Sequence, residues 1–376
     1  LRCVGAAFHE GFAHYLEGGE KMSGGESAND TGGVKEMEAT HDTRTTEKGH
    51  DLDVAPGRSN AELARLLPHP AADANKYTRG HLSLVAGSAA YPGAACLAAA
   101  AGERTGAGYT EVFCAGKSMI TVRGWRPSLV VRDWRAWKPA KAPAPRPGHP
   151  TACVIGCGFD AAETSLTSLL METVRGWEAP LLIDGGALGL LANATGLRLA
   201  RERAAAGRST LLTPHGGEAT RLAQGVREAL EEADDAAARG TRSPLAEAAG
   251  ALSPASRATL AEADPAPAAL ACALAEAYGA VVALKGPVTF IASPDGTAEV
   301  MDRGTSALAK AGTGDVLAGI VGALLAQGLS PRDAAALGCA LHAEAGRTAA
   351  AALTDICVAA EDLITYLPDA IRAIES

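Results

Sequence analysis

At 376 residues, 47% hydrophobic and 20% charged, the chain can bury a full core, which excludes a protein disordered throughout. A formal charge of -9 leaves no basic footprint for nucleic acid or an anionic membrane surface, and no apolar run reaches the ~18 residues of a transmembrane helix. The expected partners are therefore small molecules, and aromatics at 4% beside 43 glycines lean the composition toward an α/β fold.

Residues 1–60 are rich in Gly, Glu, Asp, Thr and His, show no period of 3.6 or 2, and read as a disordered arm without chemistry. The chain begins with Leu1, not Met, and Glu10 follows a short apolar patch, so a fragment or misplaced start is expected, not a signal peptide. The folded domain is expected over 61–376. Order begins near Lys76: HLSLVAGS is a strand that stops at glycine, an alanine-rich helix runs from about Gly93 to Arg104, and YTEVFCAG is the next strand. The Pro- and Lys/Arg-rich stretch Lys138 to Pro150 reads as a surface loop. TACVIG, a helix over Ala161 to Arg175, PLLID, a helix near Ala187 to Leu191 and STLLTP continue the alternation. Repeated βα units imply parallel strands with helices on both faces and ligands at the carboxyl ends of the strands. Residues 226–265 read as a helical surface insertion. GAVVALKG and VTFIASP resume the sheet, and three helices, 313–327, 331–352 and about 359–373, close it.

Eight cysteines, Cys3, Cys96, Cys114, Cys153, Cys157, Cys272, Cys339 and Cys357, lie in or beside apolar segments with no C-x-x-C pair, as buried free thiols in a reducing cytoplasm would. Cys153 and Cys157 lack further ligands nearby, and no metal is assigned to them.

The sharpest signal is AKAGTGDVLAGIVGALLAQG, 309–328. A glycine turn feeding an apolar helix points several backbone N–H groups outward at the positive end of the helix dipole, which makes an anion hole. Asp315 in the first turn is favourable to a helix in its own right, and the dipole favours its ionised form. Lys285-Gly286 at the end of an apolar strand can reach a phosphate, although a lysine at a loop edge is often only solvated. In LLTPHGGEATRL, His215 and Glu218 follow a strand, and Glu218 also suits the third position of a helix as a capping carboxylate. VIGCGFDAAETS with IDGG at 183–186 is a passable dinucleotide fingerprint, in which Gly156, Gly158 and Asp184 would serve a nicotinamide-dependent dehydrogenase. There is no G-x-x-x-x-G-K-[ST], which argues against a P-loop NTPase.

Taken in order over about residues 76–370, GHLSLVAGSAAYPGAACLAAAAGERTGAGY, VIGCGF, PLLIDGGAL, LLTPHGGEATRL, VALKGPVTFIASPDG, GTSALAKAGTGDVLAGIVGALLAQG and AALGCALHAEAG resemble the ADP-dependent NAD(P)H-hydrate dehydratases of the ribokinase-like superfamily. The resemblance implies a three-layer αβα fold with a mostly parallel sheet. It also implies repair of NADHX and NADPHX: the C6 hydroxyl is phosphorylated from ADP or ATP with Mg²⁺, and phosphate is then eliminated. Asp315 would be the base, and the N–H groups of Gly312, Thr313 and Gly314 would hold the charge on the phosphoryl group. Lys285, Gly286, Pro287, Val288, Thr289 and Gly314 would contact the nucleotide, Ala94, Gly158, His215 and Asp315 the hydrate, and Glu218 the Mg²⁺. A homotetramer is implied as well. The sequence departs from the family at Gly186, where a carboxylate is usual, and at Gly216, where proline is usual. A hydroxyethylthiazole or hydroxymethylpyrimidine kinase of the same fold, or a nucleotide-binding homologue without turnover, are the alternative readings.

Overall fold

The computed structural model describes residues 54–142, 146–240 and 252–376, all within the compact unit His50–Ser376. Residues 1–53 of the expected arm and 241–251 of the expected insertion lie outside the described residues. The end of that arm does belong to the fold. Strand β1 (Val54–Ala55) pairs at the edge of the sheet, and Arg58 bonds Glu299 at 2.9 Å and Asp333 at 2.6 Å. Two paired residues are too few to leave a period in the sequence, and Ser59 then caps helix α1 (Asn60–Ala64).

Strand β2 (His81–Val85), helix α2 (Pro92–Arg104) and strand β3 (Tyr109–Cys114) form the first crossover unit, with α3 (Met119–Trp125) and the edge strand β4 (Val130–Asp133) after it. Strand β5 (Thr151–Ile155), α4 (Ser165–Gly176), β6 (Leu181–Ile183), α5 (Gly186–Leu191), α6 (Ala194–Ala205) and β7 (Thr210–Leu212) extend the sheet. Helix α7 (Gly216–Ala238) follows, then α8 (Pro254–Ala261), α9 (Pro267–Tyr278) and β8 (Val281–Leu284). Strands β9 (Thr289–Ala292) and β10 (Ala298–Met301) precede α10 (Thr313–Ala326), α11 (Pro331–Leu353) and α12 (Ala360–Glu375).

The ten strands run in the order β1-β10-β9-β8-β7-β6-β5-β2-β3-β4, parallel throughout except where β9 pairs β8 and β10. Alternate residues serve opposite faces. Leu84, Val154, Leu182 and Leu211 face the layer of α2, α10, α11 and α12, whereas Val85, Ile155, Ile183 and Leu212 face α4, α5, α6, α7 and α9. The mostly parallel three-layer expectation holds.

The stretch from 226 is helical as expected but not an insertion up to Ala238. It is the outer half of α7, with Leu222, Val226, Ala229 and Ala233 buried at helical spacing. Small alanines conceal an apolar stripe that leucines would have displayed.

Candidate functional site

The carboxyl ends of β6, β7 and β8 deliver Asp184, His215 and Lys285 to one edge of the sheet, and α10 points its N-terminus at them. Helix α10 is apolar all round, so it is buried along its length and its start is fixed by packing on α2 and α11. Gly312 is its N-cap at φ 92°, a left-handed conformation, and a Cβ there would stand 2.7 Å from Leu97 Cδ1. Val316 is the first residue whose N–H closes onto the turn, at 3.1 Å from the Gly312 carbonyl.

The N–H groups of Gly312, Gly314 and Asp315 have no partner among the described residues. Thr313, expected to be a third donor, departs from that role. Its N–H faces the Lys310 carbonyl at 3.4 Å, and its hydroxyl bonds Leu308 O at 2.8 Å and Lys310 O at 2.9 Å. Thr313 braces the turn, and the Asp315 N–H is the third unpaired donor at the start of the helix. The Thr313 carbonyl lies 2.9 Å from Nε2 of His342, a buried residue of α11 whose basicity burial pushes down to about 4. The ring is therefore neutral at pH 7 and its Nε2–H donates to that carbonyl.

Burial, and then the negative Asp184, push the Asp315 carboxyl up to about 6, while the Cys157 thiol and Lys285 pull the other way. The expectation that the helix dipole keeps this group readily ionised is thus corrected, since desolvation outweighs it. The result is a carboxylate that is mostly ionised at pH 7 yet basic enough to take a proton.

Lys285 Nζ donates to Asp184 Oδ1 at 2.7 Å, and Thr213 Oγ1 donates to the same oxygen at 2.8 Å. Burial lowers the Lys285 ammonium, but Asp184 and Glu218 more than offset that and the net shift is upward. The ammonium also lies 3.7 Å from where a Cβ of Gly314 would stand, so it closes one side of the anion hole. Glu218 is nearly buried and accepts the His215 N–H at 2.9 Å, which is the capping role that its position in α7 allows.

Two cavities adjoin this edge. The first, of ≈ 320 Å³, is lined by His215, Lys285, Gly286, Thr289, Thr313, Gly314, Cys339 and His342. The second, of ≈ 640 Å³, takes Gly216, Pro287 and Val288 and shares Lys285 and Gly286. The segment from Lys285 to Thr289, expected to serve one nucleotide, is therefore divided between two spaces. Ala94 and Gly158 lie on the Cys157 side of Asp315 and pack together, since a Cβ on Gly158 would stand 2.6 Å from that of Ala94 and 2.7 Å from Tyr91 O.

The glycines of the dinucleotide fingerprint have this packing role. A Cβ on Gly156 would stand 2.0 Å from the Asp184 carbonyl, and α4 starts only at Ser165, well past the glycines. Asp184 is buried, with its Oδ1 held by Lys285 and Thr213, so it is part of the packed edge and does not stand out toward a ribose. The missing carboxylate at Gly186 also has a local reason, because a Cβ there would stand 2.4 Å from the Phe159 carbonyl. Gly216 has open space around it, so nothing in its packing requires glycine.

Sequence reasoning missed three residues of the site. His342 is a lone histidine in an apolar helical stretch, the only sign it gave. Cys157 carried no sign beyond its place between two glycines. Tyr91, 56% exposed, has its carbonyl and Cβ against Gly158, at the mouth of the Ala94 side.

A family model described as NAD(P)H-hydrate dehydratase matches residues 82–251 and 252–369. An ADP-dependent (S)-NAD(P)H-hydrate dehydratase of Neisseria meningitidis serogroup B is 32% identical over 303 residues, 77% of this chain and 84% of that protein. A bifunctional NAD(P)H-hydrate repair enzyme of Mycobacterium leprae is 31% identical over 323 residues, 85% of this chain but 56% of that protein, so the chain spans about half the length of such relatives. The crystal structure of an ADP/ATP-dependent NAD(P)H-hydrate dehydratase from Bacillus subtilis, co-crystallised with ATP/Mg²⁺, superposes with a TM-score of 0.63 at 25% identity, covering 85% of this chain and 99% of that one. The architecture is ribokinase-like.

Proposed function

The chain belongs to the NAD(P)H-hydrate dehydratase family, and from that premise we propose that it returns NADHX and NADPHX to NADH and NADPH at the expense of ADP or ATP. The observation that carries this reading is the placement of Asp315, a base held near 6, inside the first turn of a helix whose unpaired N–H groups face the same edge.

Asp315 takes the proton of the C6 hydroxyl as that oxygen attacks the terminal phosphorus of the nucleotide. The bond to the leaving AMP or ADP breaks, and the N–H groups of Gly312, Gly314 and Asp315 bear the charge on the transferred group. Phosphate then departs from C6 and a proton from C5, which restores the dihydronicotinamide ring. Asp315, at about 6, suits the first step because its basicity lies near the working pH. Ala94, Gly158 and His215 hold the hydrate, and Lys285, Gly286, Thr289 and Gly314, which share the first cavity, hold the nucleotide.

Mg²⁺ fits this edge in a particular way. Among the described residues no group of three His, Cys, Asp or Glu could hold a metal, so the ion would arrive with the phosphates, keep most of its waters and meet one or two carboxylates at most. Glu218 has one oxygen engaged in capping and the other available for that contact. Bound there, the ion would neutralise charge on the phosphates.

We place the enzyme in the cytoplasm, in keeping with the free cysteines from Cys96 to Cys357, and as a homotetramer, which sedimentation of the purified chain tests. The assay for the reaction is the return of reduced-nicotinamide absorbance when hydrate, Mg²⁺ and ADP or ATP are supplied together. Absorbance that returned without a nucleotide, or failed to return with one, would overturn the proposal.

A further inference from the structure

The proposed reaction holds two adenine nucleotides at once, the phosphoryl donor and the adenylate half of the hydrated dinucleotide. The cavity beside Thr313 and Gly314, at ≈ 320 Å³, lies at the lower end of the size range of small-ligand sites and has room for one of them. The second cavity is ≈ 640 Å³, and no role has yet been given to it. We infer, on the basis of that proposed reaction, that the second cavity binds the adenosine end of the hydrated dinucleotide.

The two spaces are continuous along one wall. Lys285 and Gly286 line both, and the chain steps from His215 in the first to Gly216 in the second. At that step His215 and Lys285 form a parallel bridge, with the Lys285 N–H on the Pro214 carbonyl at 2.7 Å and the Gly216 N–H turned to the Lys285 carbonyl, while the Gly286 N–H has no partner among the described residues and Gly216 opens the 23-residue helix α7. A pyrophosphate that crosses the wall therefore meets one free backbone donor, at Gly286, and the positive end of a long helix. This joins the ring held near Asp315 and His215 to an adenosine beyond Gly216.

The lining suits a purine nucleoside. Leu260, Leu270, Pro287 and Phe290 give flat apolar walls, and the polar groups are few, as in sites that hold a planar ring and orient it. Glu262 and Asp264 stand at the rim, where a carboxylate can accept the exocyclic amine of adenine or a ribose hydroxyl. Arg227, which lines the cavity together with Lys285, spends Nη1 on the carbonyls of Leu260 (2.9 Å) and Glu262 (3.3 Å), which fixes the rim segment in place.

The test fills the cavity from two exposed lining positions, with Ala263→Trp and, separately, Thr220→Trp, in the full chain. Each variant is assayed with NADHX and with the hydrated mononucleotide that lacks the adenylate, and ADP affinity is measured on the same preparations. The expected result is a KM for NADHX raised by about tenfold or more, equivalent to ~1.4 kcal/mol, with kcat, ADP affinity and the mononucleotide kinetics unchanged. Unchanged NADHX kinetics in both variants would overturn the subsite and leave the proposed reaction standing, as would equal losses for the two hydrates or a loss confined to ADP. No turnover of either hydrate by the parent chain would remove the reaction, and the subsite with it.

Discussion

Lys285 and Asp184, 101 residues apart in sequence, form an ion pair of 2.7 Å at the carboxyl ends of neighbouring parts of the sheet, with side chains 19% and 4% exposed. The pair aims a fixed cation at the start of α10 and, with Thr213, holds Oδ1 of Asp184 in place. Lys285→Met should weaken ADP binding more than hydrate binding. It should also leave a buried carboxylate unpaired, which costs about 3–5 kcal/mol in a comparable setting. Adding Asp184→Asn should restore much of the stability without restoring the ADP affinity. Chemical denaturation and calorimetric titration separate the two effects, and equal losses of ADP and hydrate affinity in the double variant would show that the site is misassigned.

Asp315 and His342 give opposite pH slopes to stability. The Asp315 carboxyl is raised from 3.8 to about 6, so its favourable contribution is full below 3.8 and lost as pH rises through 6. The His342 imidazole is lowered from 6.5 to about 4, so its contribution is full above 6.5 and lost as pH falls through 4. Each amounts to about 3 kcal/mol, and in the parent they largely offset each other between those limits. Asp315→Asn should therefore be more stable than the parent at pH 7 and lose that advantage toward pH 4. Parallel stability curves for the two proteins would contradict the assignment.

Much of the fold was legible because its signals are local. Apolar strands that stop at glycine, and the glycine turn before Asp315, each appear within ten residues. What stayed hidden depends on partners distant in sequence. Helix α6 (Ala194–Ala205) carries arginines and a glutamate whose burial or exposure the sequence does not reveal, and Arg203 proves to be buried with its guanidinium on the Thr210 hydroxyl at 3.0 Å. β1 pairs with a strand more than 240 residues later. At the site, Asp315, Lys285 and His215 were found, whereas the engagement of Thr313 within its own turn, the neutral His342 and the commitment of Asp184 needed the packed structure. The Gly156–Gly158 fingerprint, weighed as a rival reading, proves to be a packing feature, because glycine serves close packing as readily as it serves a phosphate.

Gly158 is held at φ 65° with no room for a side chain on the Ala94 face. Gly158→Ala should push that wall into the space assigned to the hydrate, raising the KM for hydrate by about tenfold or more, or ~1.4 kcal/mol, while ADP affinity stays near the parent's. Steady-state kinetics with each hydrate check this. An unchanged KM would place the hydrate elsewhere.

The most direct test of the mechanism is Asp315→Asn, with nucleotide affinity and hydrate-dependent phosphate release measured on one preparation. The substitution keeps the shape of the turn and its N–H groups and removes only the base. Phosphate release should fall by about 10²-fold to 10⁴-fold, the usual loss for a general base, while ADP affinity changes little. Phosphate release within a few-fold of the parent would reduce Asp315 to a helix-start residue and contradict the account.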